Sequence, residues 1–530
     1  MDRRLIARAC YVSIAMLAVW MTGCGDGAPP PPGAGGGGWE SGVFQPAATF
    51  RALCEEPRTG VNPATSQPYP DVQGTTIDEN NFLRSYSNDT YLWYDEIIDQ
   101  NPGLFDSAVL YFNELKTDAL TLSGQPKDKF HFTVDSEEWF SLSQSGVSVG
   151  YGAQWVLLST TPPREVLVAY IEPGSPATAP EVDLMRGARV LAADGIDIDA
   201  DTQTSLDTLN AALFPSASGE THTFTVQDRG AQGSRSITMT AAVVQSEPVQ
   251  NVKVLDTPIG RVGYMLFNDH IATAELALVE AVNQLNAGEG VDDLVLDIRY
   301  NGGGFLALAS ELAYMIAGPD ATAERTFELT QFNDKYPAED PVTGRRISPT
   351  PFYDTTLGPP FSAPADEPLP TLSLARVFVI TGSSTCSASE SIINSLRGVD
   401  VEVIQIGSTT CGKPYGFYPV DNCGTTYFTI QFRGVNDKGF GDYSDGFSPA
   451  NTGGVVGVAV PGCSVADDFS AALGDPDEAR LAAALMYRAK QSCPEPPALL
   501  TGVGTKSAER IAKDGIAPKS PWQMNRIMLP

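Results

Sequence analysis

The sequence predicts an α/β core, a sheet flanked by helices, preceded by a helical region and a β-rich domain. Three observations carry this. From about 250 to 470, apolar runs of strand length alternate with amphipathic stretches of helix length, the pattern of a sheet with helices on its faces. From 145 to 247, short runs rich in β-branched residues are separated by turn signals. From about 75 to 140, apolar and aromatic residues recur at helical spacing. The 530 residues suit about two to four domains.

At the N-terminus, Arg3, Arg4 and Arg8 precede an apolar run from Ala9 to Met21, and MTGC ends at Cys24. A positive start, a short apolar stretch and small residues form an export signal too short to span a membrane comfortably. The cysteine after Thr22 and Gly23 resembles the lipobox of bacterial lipoproteins. That resemblance implies removal of 1–23 and acylation of Cys24, each buried CH₂ of the anchor contributing about 0.8 kcal/mol. Gly25 follows, not an aspartate, so in a Gram-negative host the expected location is the outer membrane, facing the periplasm. A plain cleaved signal is the alternative. Residues 24–50 are dominated by Pro and Gly and read as a tether.

Thirty-four basic against 64 acidic residues give a net charge of −30. Such a chain repels phosphate backbones, which excludes nucleic acid as a partner. Beyond Cys10 and Cys24, six cysteines remain: Cys54, Cys386, Cys411, Cys423, Cys463 and Cys493. An export route permits disulfides. Six cysteines allow 15 connectivities, and spacing does not choose among them. No CxxC or Cys/His cluster suggests zinc, and no metal or cofactor is expected.

Residues 51–144 read as the helical domain. ENNFLRSYSNDTYLWYDEIIDQ places Phe82, Tyr86, Tyr91 and Trp93 on a roughly helical stripe, and AVLYFNELKTDAL follows as a second helix. In the β-rich domain, 145–247, the strand candidates are VSVGYGAQWVLL, EVLVAYI, ARVLAADGI and HTFTVQD. Its segment IEPGSPATAPEVDLMRGARVLAADGIDI resembles a PDZ domain. By that resemblance Gly150, Tyr151, Gly152 and Ala153 form the loop that receives a peptide carboxylate. Successive backbone N–H groups make an anion nest, and an open strand edge accepts an added strand.

In the core, 248–495, the strands are RVGYMLF, DDLVLDIR, ARVFVITG and VEVIQIG. The helices are ATAELALVEAVNQLNA, FLALASELAYMIAG and ASESIINSLRG. The tail, 496–530, is basic, with Lys506, Arg510, Lys513, Lys519 and Arg526. It either docks on the acidic body or stays free.

Three stretches carry chemistry. In TGSSTCSASESIINSL, 381–396, a strand ends, small residues turn, and a helix starts near Ala388. A serine there meets the positive end of a helix, which suits attack that creates an oxyanion. Ser-Ala-Ser-Glu is equally an ordinary helix cap. In TTCGKPYG, 409–416, Lys413 lies between Gly412 and Pro414. A lysine with an unperturbed pKa near 10.4 is only about 0.04% neutral at pH 7, and burial that lowers it by about 3 costs roughly 4 kcal/mol. Such a lysine can serve a serine as base. In LVLDIRYNGGG, 294–304, a buried strand runs into glycines that allow close backbone approach. A nucleotide loop would need Lys-Ser/Thr after the glycines or GxGxxG spacing, and neither is present.

Together, and after the PDZ-like segment, these stretches resemble the C-terminal processing (tail-specific) peptidases. The resemblance covers about 75 to 470 and implies a crotonase/ClpP-like core. It implies Ser387 as nucleophile and Lys413, 26 residues on, as general base. It implies an oxyanion hole from Gly302 or Gly303 and the N–H of Ala388. It implies a serine endopeptidase acting on exported proteins or peptides with unstructured C-termini. Members often carry a nearby Gln that orients the lysine, where this chain has Phe417. If Ser387 and Lys413 meet, Cys386 and Cys411 become neighbours, and a disulfide between them is expected to brace the site. Pairings Cys423–Cys463 and Cys54–Cys493 are the remaining expectation.

Two rival readings stand beside it. One is a non-catalytic peptidase-like PDZ lipoprotein, motivated by the absent Gln. The other is an esterase with a histidine base. GxSxG is absent around Ser387, and His270 in FNDHIA is the conceivable base.

Overall fold

The computed structural model describes residues 39–62, 65–159, 161–454 and 457–494, with the backbone of 506–507 and 526–527. The expected signal and the lipidation of Cys24 lie outside the described residues. The fold is built from three layers within the unit Ser41–Pro530.

The first layer holds α1 (Thr76–Thr90), α2 (Ala108–Glu114), β1 (Phe132–Asp135) and α3 (Ser136–Ser145). Thr75 caps α1 reciprocally: its hydroxyl accepts from the Asp78 N–H, and its own N–H donates to Asp78. The helix stops at Thr90, after Ser-Asn-Asp-Thr, residues whose side chains compete for backbone hydrogen bonds. Tyr91 is already extended, so the expected aromatic stripe is not one helical face. Segment 51–144 is therefore less helical than expected. Its apolar residues Phe82, Tyr111 and Phe112 pack on Val420 and Tyr427.

The second layer, the β-rich module, starts with β2 (Val147–Gly150), β3 (Ala153–Ser159), β4 (Glu165–Ile171) and β5 (Arg189–Ala193). It continues through α4 (Gln203–Leu213), β6 (Thr221–Gln227), β7 (Arg235–Thr240) and β8 (Ala242–Gln245). Its sheet runs β7-β6-β5-β4-β3, antiparallel throughout, and the entering and leaving strands β2 and β8 pair side by side.

The third layer is the core. In chain order it holds β9 (Val249–Thr257), β10 (Gly260–Phe267), α5 (Ala274–Leu285), β11 (Asp293–Asp297), β12 (Gly304–Phe305) and α6 (Leu306–Thr322). Then come β13 (Arg376–Thr381), α7 (Ala388–Gly398), β14 (Glu402–Gly407), β15 (Tyr415–Gly416), β16 (Thr425–Phe428), β17 (Gly462–Ser464) and α8 (Ala479–Lys490). Its six-stranded sheet is ordered β9-β10-β11-β13-β14-β17, parallel except for β9. Both faces are covered, which is why these strands read as continuous apolar runs. Side chains alternate: Met265, Phe267, Leu294 and Val379 face α5, α6 and α7, whereas Tyr264, Leu266, Val295 and Phe378 face α8 and the module. Val156, Leu167 and Ala169 of β3 and β4 complete that second face, so the module is seated on the core sheet.

Charges reinforce this joint. Arg186 of the module donates to Tyr300 Oη at 2.6 Å and to Asp467 at 2.7 Å. Arg299 donates to the same Asp467 at 2.7 Å and to Glu478 at 2.8 Å. Burial would raise the Asp467 pKa, but Arg480, Arg299 and Arg186 outweigh it and hold the carboxyl well below the usual range. Nearby, burial pushes Glu172 of the module up to about 7 and Asp269 of the core up to about 8, where Glu172 adds repulsion. A raised carboxyl pKa gives stability that is complete below the unfolded value near 4 and is lost as pH rises through the folded value. Melting temperature is therefore expected to fall between about pH 4 and 8, and Asp269→Asn to flatten that fall. Parallel melting curves for the two proteins would contradict the assignment.

Disulfides join Cys54–Cys423, Cys386–Cys411 and Cys463–Cys493. The expected Cys423–Cys463 and Cys54–Cys493 pairs are corrected. The first layer lies over the strand pair ending in β16, bringing Cys54 and Cys423 to a Cα separation of 5.4 Å. Cys493 follows α8, which returns to β17 and Cys463.

Candidate active site

Ser387 sits where β13 has ended and α7 begins, with φ 59° and ψ −114°. A non-glycine residue in that region is strained and is held by its surroundings. Here Cys386 N–H donates to Asn301 O at 3.1 Å, Ser389 Oγ donates to the same carbonyl, and Thr385 Oγ1 donates to Ile298 O at 2.7 Å. Ser387 is fully buried, and its Oγ has no hydrogen-bond partner among the described residues. A buried hydroxyl left without a partner costs stability.

Glu390, one turn into α7, organises the neighbourhood. Its carboxylate accepts from the N–H of Ser387 at 3.0 Å, of Lys413 at 2.8 Å and of Gly412 at 2.9 Å, and from Thr410 Oγ1. Ser387 and Lys413 donate to the same oxygen, so one buried acid clamps the serine turn to the lysine loop. Burial raises the Glu390 pKa, while its hydrogen bonds oppose that rise. Lys413 is itself fully buried, its Nζ 4.1 Å from the Phe417 ring centre and 4.9 Å from that of Phe130. Phe417 thus presents a ring face to the amine where a Gln was expected. Gly412 has φ +82°, and a Cβ there would lie 2.2 Å from Ser444 O, so the loop requires glycine at this position.

The Cys386–Cys411 disulfide, Cα atoms 5.1 Å apart, closes the same junction beside both residues. Cys386, Glu390 and Cys411 are near enough to hold an ion, but both sulfurs are joined to each other. A cross-link with a sequence separation of 25 contributes about 3 kcal/mol through the unfolded chain. The double variant Cys386→Ala/Cys411→Ala is expected to lose about that much in denaturant unfolding. A loss under about 0.5 kcal/mol would show that Glu390 alone holds the junction.

The glycine loop after β11 comes to the same place. Asn301 Oδ1 accepts from Gly303 N–H at 3.0 Å and from His270 Nδ1 at 2.9 Å, and its amide donates to Phe267 O at 3.0 Å. This corrects the expectation for Gly303: its N–H is closed into a turn by Asn301, the habit of an Asn two residues before an N–H. Gly302 and Ala388 donate no backbone hydrogen bond among the described residues. His270 is fully buried, and burial lowers its pKa to about 3. With Nδ1 donating to Asn301 it supports the glycine loop, which leaves the histidine-base reading without geometric support.

In the module, Gly150 ends β2 and Ala153 opens β3. Tyr151 is buried, with its hydroxyl donating to Ala212 O at 3.0 Å. Gly152 adopts φ +76° against Ser175. The loop therefore offers backbone, not side chains, at the head of edge strand β3. Sequence reasoning missed Glu390 and Asn301 as organisers. Their signals were present, a Glu three residues after the serine and an Asn before the glycines, but each also has an ordinary capping or turn meaning.

Comparison with known proteins adds the family. Residues 261–419 match the model of peptidase family S41. A carboxyl-terminal-processing protease of Picosynechococcus sp. is 33% identical over 190 residues, 35% of this chain and 43% of that protein. The chain thus matches less than half the length of that curated relative. A crystal structure of a Bacteroides fragilis protein assigned to the S41 proteases shares the fold, with TM-score 0.57 and 22% identity over 80% of this chain and 98% of that one. The segment that holds the glycine loop, Ser387 and Lys413 is thus similar to peptidase family S41 and to a carboxyl-terminal-processing protease.

Proposed function

We propose that the protein is a serine endopeptidase in which Ser387 is the nucleophile and Lys413 the general base. The observation that carries this reading is the shared carboxylate oxygen of Glu390, which fixes Ser387 and Lys413 to one point while Ser387 Oγ stays without a partner among the described residues. In the proposed reaction, Lys413 Nζ takes the proton of Ser387 Oγ as that oxygen attacks a peptide carbonyl carbon. The carbonyl oxygen becomes an oxyanion facing the N–H of Ala388 and of Gly302, each such donor worth about 2.7–4 kcal/mol in the transition state. The C–N bond breaks, Lys413 returns the proton to the leaving amine, and water releases the acyl group from Ser387. No step draws on a metal or cofactor.

The β-rich module is read as a PDZ domain that delivers unstructured C-terminal ends through the edge of β3 and the loop Gly150–Ala153. Substrates are exported proteins, and the enzyme acts in the cell envelope, lipid-anchored through Cys24. The test is proteolysis of an unfolded protein with an apolar C-terminus by the chain from Gly25 onward, beside Ser387→Ala. Fragments from the parent alone are expected. Equal fragments from both would remove Ser387 as nucleophile, and no fragments from either, with retained peptide binding, would favour the non-catalytic reading.

A further inference from the structure

The amine of Lys413 lies against two phenyl rings that come from different layers. Its Nζ is 4.1 Å from the centre of the Phe417 ring and 4.9 Å from that of Phe130, over the face of each. Phe417 follows β15 in the core, and Phe130 lies just before β1 in the first layer. All three side chains are buried. β1 pairs antiparallel with β16, which places Phe132 opposite Phe428, and those two rings stack with centres 4.4 Å apart. Phe417 packs edge-to-face with both, its centre 5.9 Å from Phe132 and 5.0 Å from Phe428, which fixes the plane it turns to the amine. Lys129 Nζ donates to Cys411 O at 2.9 Å, and Phe130 N–H donates to Asp128 at 2.9 Å. Strand pairing and these two bonds hold the Phe130 ring over the lysine loop.

We propose that Phe130 and Phe417 are positioning residues for Lys413: they hold its amine and stabilise the ammonium that forms when it takes the Ser387 proton. The inference rests on the peptidase reading for the reaction, whereas the ring contacts stand without it. In that step the Ser387 Oγ–H bond breaks, an Nζ–H bond forms, and the Oγ electron pair bonds to the peptide carbonyl carbon. A positive charge therefore appears on Nζ, which burial shields from water. An apolar wall alone would make that transfer costly, because nothing would replace solvation of the new charge. The negative face of a phenyl ring attracts a cation, and more strongly when both are desolvated. A carboxylate beside Nζ would attract it more, but would also keep the amine protonated at rest and useless as a base. The nearby acid, Glu390, is already engaged: it accepts from three backbone N–H groups and from Thr410 Oγ1. Ring faces favour the charge as it forms without holding the proton permanently. The first layer, through Phe130, thereby supplies part of the setting of the base.

The test changes ring electrostatics while nearly keeping ring shape. Mono-, di- and trifluorinated phenylalanine replace Phe417 and, separately, Phe130 in the chain from Gly25, since fluorine withdraws electron density from the ring face. Trifluorination of Phe82, a buried ring elsewhere in the first layer, is the control. The first readout is the acylation rate with a peptide p-nitrophenyl ester on the alkaline plateau of its pH profile, where the amine is neutral at rest. The second is the titration of Lys413, followed by carbon NMR of its Cε and assigned by its loss in Lys413→Met. The charged groups about the rings, Glu390 of α7 and Lys129 and Asp128 of the first layer, are the same in every protein. The expected result is an acylation rate that falls with each added fluorine, by at least about ten-fold for the trifluorinated ring at Phe417. Substrate affinity stays constant, the Lys413 titration moves to lower pH, and the control keeps parental values. Equal rates and an unmoved titration across the series, with Ser387 acylated throughout, overturn the proposal and leave the peptidase reading standing. A rate that falls with an unmoved titration also overturns it, because the loss is then one of packing. A titration that moves while Ser387 is acylated in no protein, the parent included, sinks the peptidase reading and the catalytic role together, and only the hold of the rings on the charge stands.

Discussion

Replacing Lys413 with arginine is expected to lower kcat for peptide cleavage by at least about 10²–10⁴-fold, the usual worth of a general base. Arginine keeps the positive charge and can face the rings of Phe417 and Phe130, but its guanidinium does not give up a proton in proteins. Lys413→Ala is expected to be as inactive, because it too lacks a base. KM should change little in either, since Lys413 is assigned to proton transfer, not to holding substrate. Single-turnover cleavage measured on both variants checks this. An arginine variant with near-parental kcat would mean that Lys413 acts only as a charge, and the proposed mechanism would lose its base.

The second large effect concerns stability. Asp467 accepts from Arg186 of the module and from Arg299 and Tyr300 of the core. Asp467→Ala leaves buried guanidinium groups without their shared anion, and breaking a buried pair in this way costs about 3–5 kcal/mol. Denaturant unfolding is expected to show that loss. The pH dependence has a definite sign. A carboxyl whose folded pKa is depressed gives stability that is present above its unfolded pKa near 3.9 and is lost as pH falls below it. The parent should therefore lose stability in acid more steeply than Asp467→Ala. A variant within about 1 kcal/mol of the parent at pH 7 would show that the apolar contacts of Val156, Leu167 and Ala169 seat the module by themselves.

The elements that sequence made legible are those whose environment is uniform along their length. β10, β11, β13 and β14 are covered on both faces, so each reads as an unbroken apolar run that needs no partner to be recognised. The turn into α7 was legible for a different reason: small residues between a strand and a helix leave few other conformations. What stayed hidden depends on groups distant in sequence. Glu390 looks like a first-turn capping acid until the loop 410–413 is folded back onto it. Asn301 looks like part of a glycine turn, and its turn to Gly303 N–H removes one expected oxyanion donor. The Cys386–Cys411 pair followed from bringing Ser387 to Lys413. The other two disulfides depend on how the first layer and α8 lie over the core, which no local pattern encodes. Aromatic spacing misled at Tyr91 and Trp93 because the helix ends one residue earlier.

The most direct test of the account is to ask which atom forms the acyl-enzyme. The chain from Gly25 would be treated with a peptide p-nitrophenyl ester, whose acyl group transfers to the nucleophile with release of p-nitrophenol, then quenched in acid and mapped by mass spectrometry. The account predicts one acyl adduct, on Ser387, absent from Ser387→Ala and strongly slowed in Lys413→Ala. An adduct on any other residue, or peptide cleavage that proceeds with Ser387 unmodified, would contradict it.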